Sequence, residues 1–162
     1  MKPWIRLTLI VMTVGGGFSG FARTLEALFD SSGESPLNQL VKVVFLGLYA
    51  FVAASGLLFV QQPTRTGALR AALAIQIPFL SSSFIAYKFA AGLAAFLSFG
   101  SPERESTGFY VGWEVRLGSF WIFYLQRDQP LRIGVNLVAL AILVLLWTAA
   151  QPANSMTLQK RE

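Results

Sequence analysis

The chain has 162 residues, of which 54% are hydrophobic and 13% are charged, and its formal net charge is +5. Soluble domains carry about 25% charged residues, so this composition indicates a protein that works in lipid. The chain contains no cysteine and no histidine, which excludes disulfides, thiolate metal sites and histidine-based catalysis. We therefore expect no metal and no cofactor. The basic residues are scattered singly, so we also expect no nucleic-acid partner.

Four apolar segments are each about long enough to cross a bilayer, because a spanning helix needs about 20 mostly apolar residues. In chain order they cover 4–22, 37–60, 69–89 and 131–150. They predict an all-α membrane protein in which four transmembrane helices form an antiparallel bundle. The whole chain, 1–162, is then a single integral membrane domain.

Small residues in the first two segments predict close helix packing. Gly16 and Gly20 form a G-x-x-x-G spacing, and Gly47 and Gly56 lie in the second segment. Helices in lipid associate through small residues that let their backbones approach closely. We expect this packing inside the bundle, and a dimer seam is the alternative.

The third and fourth segments also contain polar residues. Pro78 should kink the third helix, and the polar residues near it can satisfy the backbone groups that the kink frees. Lys88 is placed to extend its ammonium towards the interface. The same residues could instead line a polar path, which would comprise Gln76, Ser81, Ser82, Ser83, Lys88 and Asn136.

An aromatic-rich outer region covers about 100–130. Its first half alternates, with one face formed by Phe109, Val111, Trp113, Val115 and Leu117. Such alternation is typical of a strand, and a turn at Gly118 and Ser119 would make a short extracytoplasmic β-hairpin between the third and fourth helices. An interfacial helix is the alternative, because the second half is apolar on both faces.

Several aromatic residues are candidates for the headgroup level, where amphipathic rings concentrate. They are Trp4, Tyr110, Trp113, Trp121, Tyr124 and Trp147. The basic N-terminus and the tight connection with Arg65 and Arg70 favour the cytoplasmic side. The sequence therefore predicts a multi-pass protein of a cell membrane, of the bacterial inner-membrane type, with both termini cytoplasmic.

No set of residues predicts a catalytic site. Ser81 and Lys88 share a helical face, but two turns separate them by about 10 Å. The favoured hypothesis is a non-catalytic accessory, assembly or scaffold subunit that works through helix packing and its aromatic outer region. Its expected partners are membrane lipid and a larger membrane protein complex or further copies of itself. One alternative is a small oligomeric channel or carrier that uses the polar path. Another is an intramembrane enzyme, which Lys88 or Arg116 converging with Ser81 or Glu114 in one pocket would favour.

Overall fold

The computed structural model describes residues 3–30, 33–101, 108–125 and 129–149, and over these residues the fold is α+β. Four helices accompany one antiparallel sheet of six strands. The helices are α1 (Pro3–Phe29), α2 (Pro36–Gln61), α3 (Gly67–Ala74) and α4 (Leu137–Ala149). The strands are β1 (Pro78–Ser81), β2 (Ile85–Ala90), β3 (Leu93–Gly100), β4 (Tyr110–Leu117), β5 (Phe120–Leu125) and β6 (Arg132–Asn136).

Helices α1 and α2 are long and apolar enough to cross a bilayer. Their 27 and 26 residues correspond to about 40 Å of helix each. In the most apolar part of each helix only 28% and 33% of residues are buried within the protein, whereas the core helix of a soluble domain is mostly buried. A π-helical turn at Val11–Gly15 joins the two α-helical parts of α1. Ser35 caps α2 by accepting a hydrogen bond from the Asn38 amide, and Pro36 occupies its first turn.

The predicted all-α four-helix bundle is wrong. The third apolar segment, 69–89, divides into most of α3, the whole of β1 and most of β2. The fourth, 131–150, divides into β6 and α4, and its last residue lies outside the described residues. Pro78 begins a strand rather than kinking a helix. The segments are apolar, but strands with apolar residues on both faces have the same hydropathy as a spanning helix.

The predicted hairpin is also wrong, although strands occupy the region. The sheet order is β4-β3-β6-β1-β2-β5, so β4 and β5 lie at opposite edges and pair with β3 and β2. Only Gly118 and Ser119 separate these strands along the chain, and three Cα steps reach at most about 11 Å. The two edges must therefore converge at this turn, which requires a strongly curled sheet. Of the predicted outer region 100–130, residues 102–107 and 126–128 lie outside the described residues.

The curled sheet packs along the side of α1. Near one end of the helix, Leu9 packs against Leu69 of α3 and Leu146 of α4. Farther along, Gly16 meets the backbone of the β2–β3 turn, and Thr24 accepts a hydrogen bond from the Trp121 indole at 3.3 Å. Leu9 and Thr24 are about 22 Å apart along a helix. The sheet and the two short helices therefore lie beside α1 over about 22 Å of its length.

Candidate functional site

The inner face of the curled sheet contains a buried cation. Lys88 of β2 forms an ion pair with Glu114 of β4, and its side chain is only 5% exposed. Three strands separate β2 from β4 in the sheet order, so this pair bridges the interior and holds the curl closed. Glu114 also forms an ion pair with Arg116 of the same strand.

Three phenylalanine rings surround the Lys88 ammonium. Its Nζ lies 4.3 Å from the ring centroid of Phe96, 5.0 Å from that of Phe79 and 5.5 Å from that of Phe120. Ring faces attract a cation and do so more strongly where water is excluded. Together with Glu114 they replace the water that the ammonium loses on burial. Lys88 is therefore held at one place rather than extended to an interface.

The environment of Glu114 shifts its pKa. Burial alone would raise the pKa of this carboxyl, but hydrogen bonds and charge from Lys88 and Arg116 outweigh burial and hold it below its ordinary value. Glu114 is therefore ionised at neutral pH and serves as an acceptor for two cations.

A cavity of about 250 Å³ adjoins this pair inside the curl. Ser98, Tyr110 and Arg132 line it beside Lys88 and Glu114. The Arg132 guanidinium lies over the Tyr110 ring, with Cζ 4.2 Å from the ring centroid. The cavity thus combines charged groups and hydroxyls in an aromatic setting. Within the described residues, no group of three or more acidic side chains could hold a metal ion.

The outer face of the sheet is apolar and divided in two. Over β2 and β5 it is covered by α2, where Phe45 stacks on Trp121 with ring centroids 4.6 Å apart and packs with Phe89 in one core cluster. Over β4, β3 and β6 the face is exposed, with Trp113 81% and Leu117 89% accessible. The exposed residues are Leu93, Phe99, Val111, Trp113, Val115, Leu117 and Ile133, with Phe109 just before β4. We call this group the outer apolar face.

The residues of the predicted polar path are not brought together. Asn136 accepts hydrogen bonds from the amides of Ala95 and Val138, both at 3.2 Å. Gln76 accepts one from the Ala91 amide at 2.8 Å and donates another to the Ala72 carbonyl. Each of these side chains forms hydrogen bonds with backbone groups where a helix meets a strand or turn.

Two of the three serines form hydrogen bonds with groups other than Lys88. Ser81 donates to the Gln129 side chain at 2.8 Å, and Ser82 closes the β1–β2 turn by hydrogen-bonding the amide and carbonyl of Ile85. Ser83 is exposed in that turn. The register places Phe79, not Ser81, opposite Lys88. The structure therefore brings Lys88 to Glu114, but it does not bring a serine nucleophile from this group to Lys88.

Three of the four packing glycines lie at close contacts, but these contacts do not form one G-x-x-x-G helix pair. Gly16 faces the β2–β3 turn, whereas Gly20 faces the Tyr49 ring of α2 and Gly56 faces Thr13 of α1. A Cβ on Gly47 would meet open space. Gly16 thus packs against the sheet, whereas Gly20 packs against α2.

The predicted interface aromatics occupy different environments. Trp4 and Trp113 are exposed, and the Trp147 ring lies 5.6 Å from the Arg70 guanidinium carbon. Tyr124 on β5 is exposed. Tyr110 lines the cavity, and Trp121 packs against α2. Of this group, Trp113 contributes to the outer apolar face.

Convergence of Lys88 or Arg116 with Ser81 or Glu114 was expected only under the enzyme alternative. The structure brings Lys88 and Arg116 to Glu114, and Arg132 beside them was not predicted. Glu114 and Arg116 alternate with the apolar row of β4 and so must face the opposite side. No family model matches the chain, and no curated protein or solved structure matches it significantly.

Proposed function

We propose that this protein is a non-catalytic integral membrane protein that acts as an accessory, assembly or scaffold subunit. It is anchored by α1 and α2 and contacts another membrane protein through the outer apolar face. The proposal rests on the difference between the two faces of β4. Its outward row is apolar and exposed, and its inward row contains Glu114 and Arg116.

Two further features favour a protein cover for this face. The same sheet face is already covered by the apolar helix α2 over β2 and β5, so a similar apolar element would suit the exposed half. Within the described residues, β4 pairs with β3 alone and leaves one edge open. Open sheet edges are not stable against hydrocarbon, because lipid cannot hydrogen-bond the backbone.

We also propose that both termini are cytoplasmic. The tight connection after α2 carries Arg65, and Arg70 follows in α3. Leu146 in α4 packs in the same cluster as Leu9 in α1, which favours placing the end of α4 at the same end of α1 as Pro3. Basic residues in short connections favour the cytoplasmic side.

A cross-linking experiment tests whether another protein binds the outer apolar face. A photoreactive amino acid replaces Trp113, and in a matched control it replaces Phe84, which is 79% exposed in the β1–β2 turn. In native membranes we expect a specific protein adduct from position 113 and none from position 84. Trp113→Ser combined with Val115→Ser should lose the copurifying subunit yet stay in the membrane fraction. A monomeric protein that cross-links only to lipid would contradict the proposal.

The channel or carrier alternative remains a prediction. A liposome flux assay with the wild-type chain, Lys88→Met and Gln76→Leu tests it. Flux that depends on either side chain would favour a polar path, and its absence from the wild type would remove this alternative.

A further inference from the structure

A groove runs along the edge of β5 that does not pair with β2. Its larger part has a volume of about 420 Å³ and touches the five consecutive residues from Trp121 to Leu125. Successive side chains of a strand point to opposite faces. A groove that touches five in a row therefore follows the edge of the strand rather than either face.

Helices form the opposite wall of this groove. The start of α2 contributes Leu37, Val41 and Lys42 to the larger part. A second part, of about 220 Å³, continues past Trp121 to Ser119 and is walled by α1 at Arg23 and neighbouring residues. The whole of β5 is thus flanked by a cleft between a strand edge and helices.

The hydrogen-bond register shows which backbone groups face the cleft. The Ser82 amide donates to the Ile85 carbonyl at 2.9 Å and closes the β1–β2 turn. Antiparallel partners alternate between hydrogen-bonded and non-hydrogen-bonded pairs. Counting along the register from this pair, Ile85, Tyr87 and Phe89 direct their backbone groups towards β1. Ala86, Lys88 and Ala90 therefore direct theirs towards β5.

The partners of these last three residues are Tyr124, Ile122 and Phe120. The amides and carbonyls of Trp121, Phe123 and Leu125 consequently point away from β2 and into the cleft. Among the residues described, β5 pairs with β2 only. Three residues thus present a regular row of donors and acceptors at strand spacing.

We propose that this cleft binds an extended polypeptide segment of another chain, which adds to the sheet as a strand beside β5. Main-chain pairing of this kind supplies affinity, and contacts with alternate side chains supply specificity. The cleft walls favour a mostly apolar segment, because Leu37, Val41 and the aromatic residues of β5 line it. Arg23 favours a carboxylate at the Ser119 end, whereas Lys42 at the other end is already paired with Glu34 at 2.8 Å.

Amide hydrogen exchange of the full chain in nanodiscs, followed residue by residue by NMR, tests the proposal. In the free protein the amides of Trp121, Phe123 and Leu125 should exchange faster than those of Ile122 and Tyr124. The probe is a synthetic seven-residue peptide of alternating valine and threonine that ends in glutamate. At saturation it should slow exchange at the three edge amides at least tenfold. The same peptide, N-methylated at alternate residues so that it cannot pair, should have no effect.

Proline variants provide the structural control. Phe123→Pro removes a cleft-facing N–H but no β2–β5 hydrogen bond, and Phe123→Ala removes the ring while retaining the N–H. We expect peptide binding to Phe123→Pro to be about fivefold weaker than to Phe123→Ala, as suits the loss of one net hydrogen bond. If Phe123→Pro does not fold, Leu125→Pro and Leu125→Ala make the same comparison at the end of the strand.

Three results would overturn the proposal. The first is unchanged edge exchange at millimolar peptide, and the second is equal protection by the N-methylated peptide. The third is protection of the three edge amides that rises with protein concentration and without peptide, which would assign the cleft to a second copy of this chain. The cleft and the outer apolar face are separate surfaces. Each of these results can therefore be distinguished from loss of the subunit that copurifies through the outer apolar face.

Discussion

Removing the carboxylate of Glu114 should destabilise the protein far more than removing the ammonium of Lys88. Glu114→Gln keeps the size of the side chain but leaves a buried cation without its counter-ion. Lys88→Met instead removes the cation and leaves Glu114 paired with Arg116. A methionine also suits the ring-lined site, because its thioether packs well against aromatic edges.

The magnitudes follow from burial. Breaking a buried ion pair by removing one partner costs about 3–5 kcal/mol. Glu114 is 36% exposed, and the three rings continue to stabilise the ammonium, so we expect a cost of about 2–3 kcal/mol for Glu114→Gln. Replacing a buried ion by an apolar side chain is often neutral or stabilising. We therefore expect Lys88→Met to change the free energy of unfolding by less than about 1 kcal/mol.

A double-mutant cycle in mild detergent measures the difference. For a chain of this length, a loss of about 2–3 kcal/mol should lower the midpoint of thermal unfolding by about 5–10 °C. In the Lys88→Met background, Glu114→Gln should cost less than about 1 kcal/mol, because the buried cation is gone. Equal costs for Glu114→Gln in both backgrounds would refute the reasoning, and so would Lys88→Met proving to be the more damaging change.

Three further predictions concern stability. The folded-state pKa of Glu114 lies below its ordinary value of 4.5, so its contribution is complete above that pH and is lost as the pH falls through the lowered pKa; acid titration of wild-type unfolding should show this loss, and Glu114→Gln should lack it. Gly20→Ala should lower the unfolding midpoint because its Cβ would overlap the Tyr49 ring, whereas the matched control Gly47→Ala should be neutral or stabilise by up to about 1 kcal/mol. Asn136→Ala removes the acceptor at the start of α4 and should cost about 1–2 kcal/mol in denaturant titrations; a cost below about 0.3 kcal/mol would contradict that role.

Part of the site was predictable from local spacing. The alternation from Phe109 to Leu117 predicted a strand with one apolar side, and every residue of that row is exposed on the outer apolar face. The partner of Lys88 was not predictable, because Glu114 lies 26 residues away along the chain and the two strands are not neighbours in the sheet. Such a contact depends on how far the sheet curls, which no local pattern encodes.

The sequence by itself determined how much of the chain is apolar, where α1 and α2 run, and which residues of β4 share a side. Only the tertiary structure decided that 69–89 and 131–150 each change from helix to strand or from strand to helix. The physical reason is that hydropathy reports transfer out of water, which is equally favourable for both conformations. The choice between them rests on backbone pairing with distant strands and on packing against α1 and α2, and these appear only when the chain is folded.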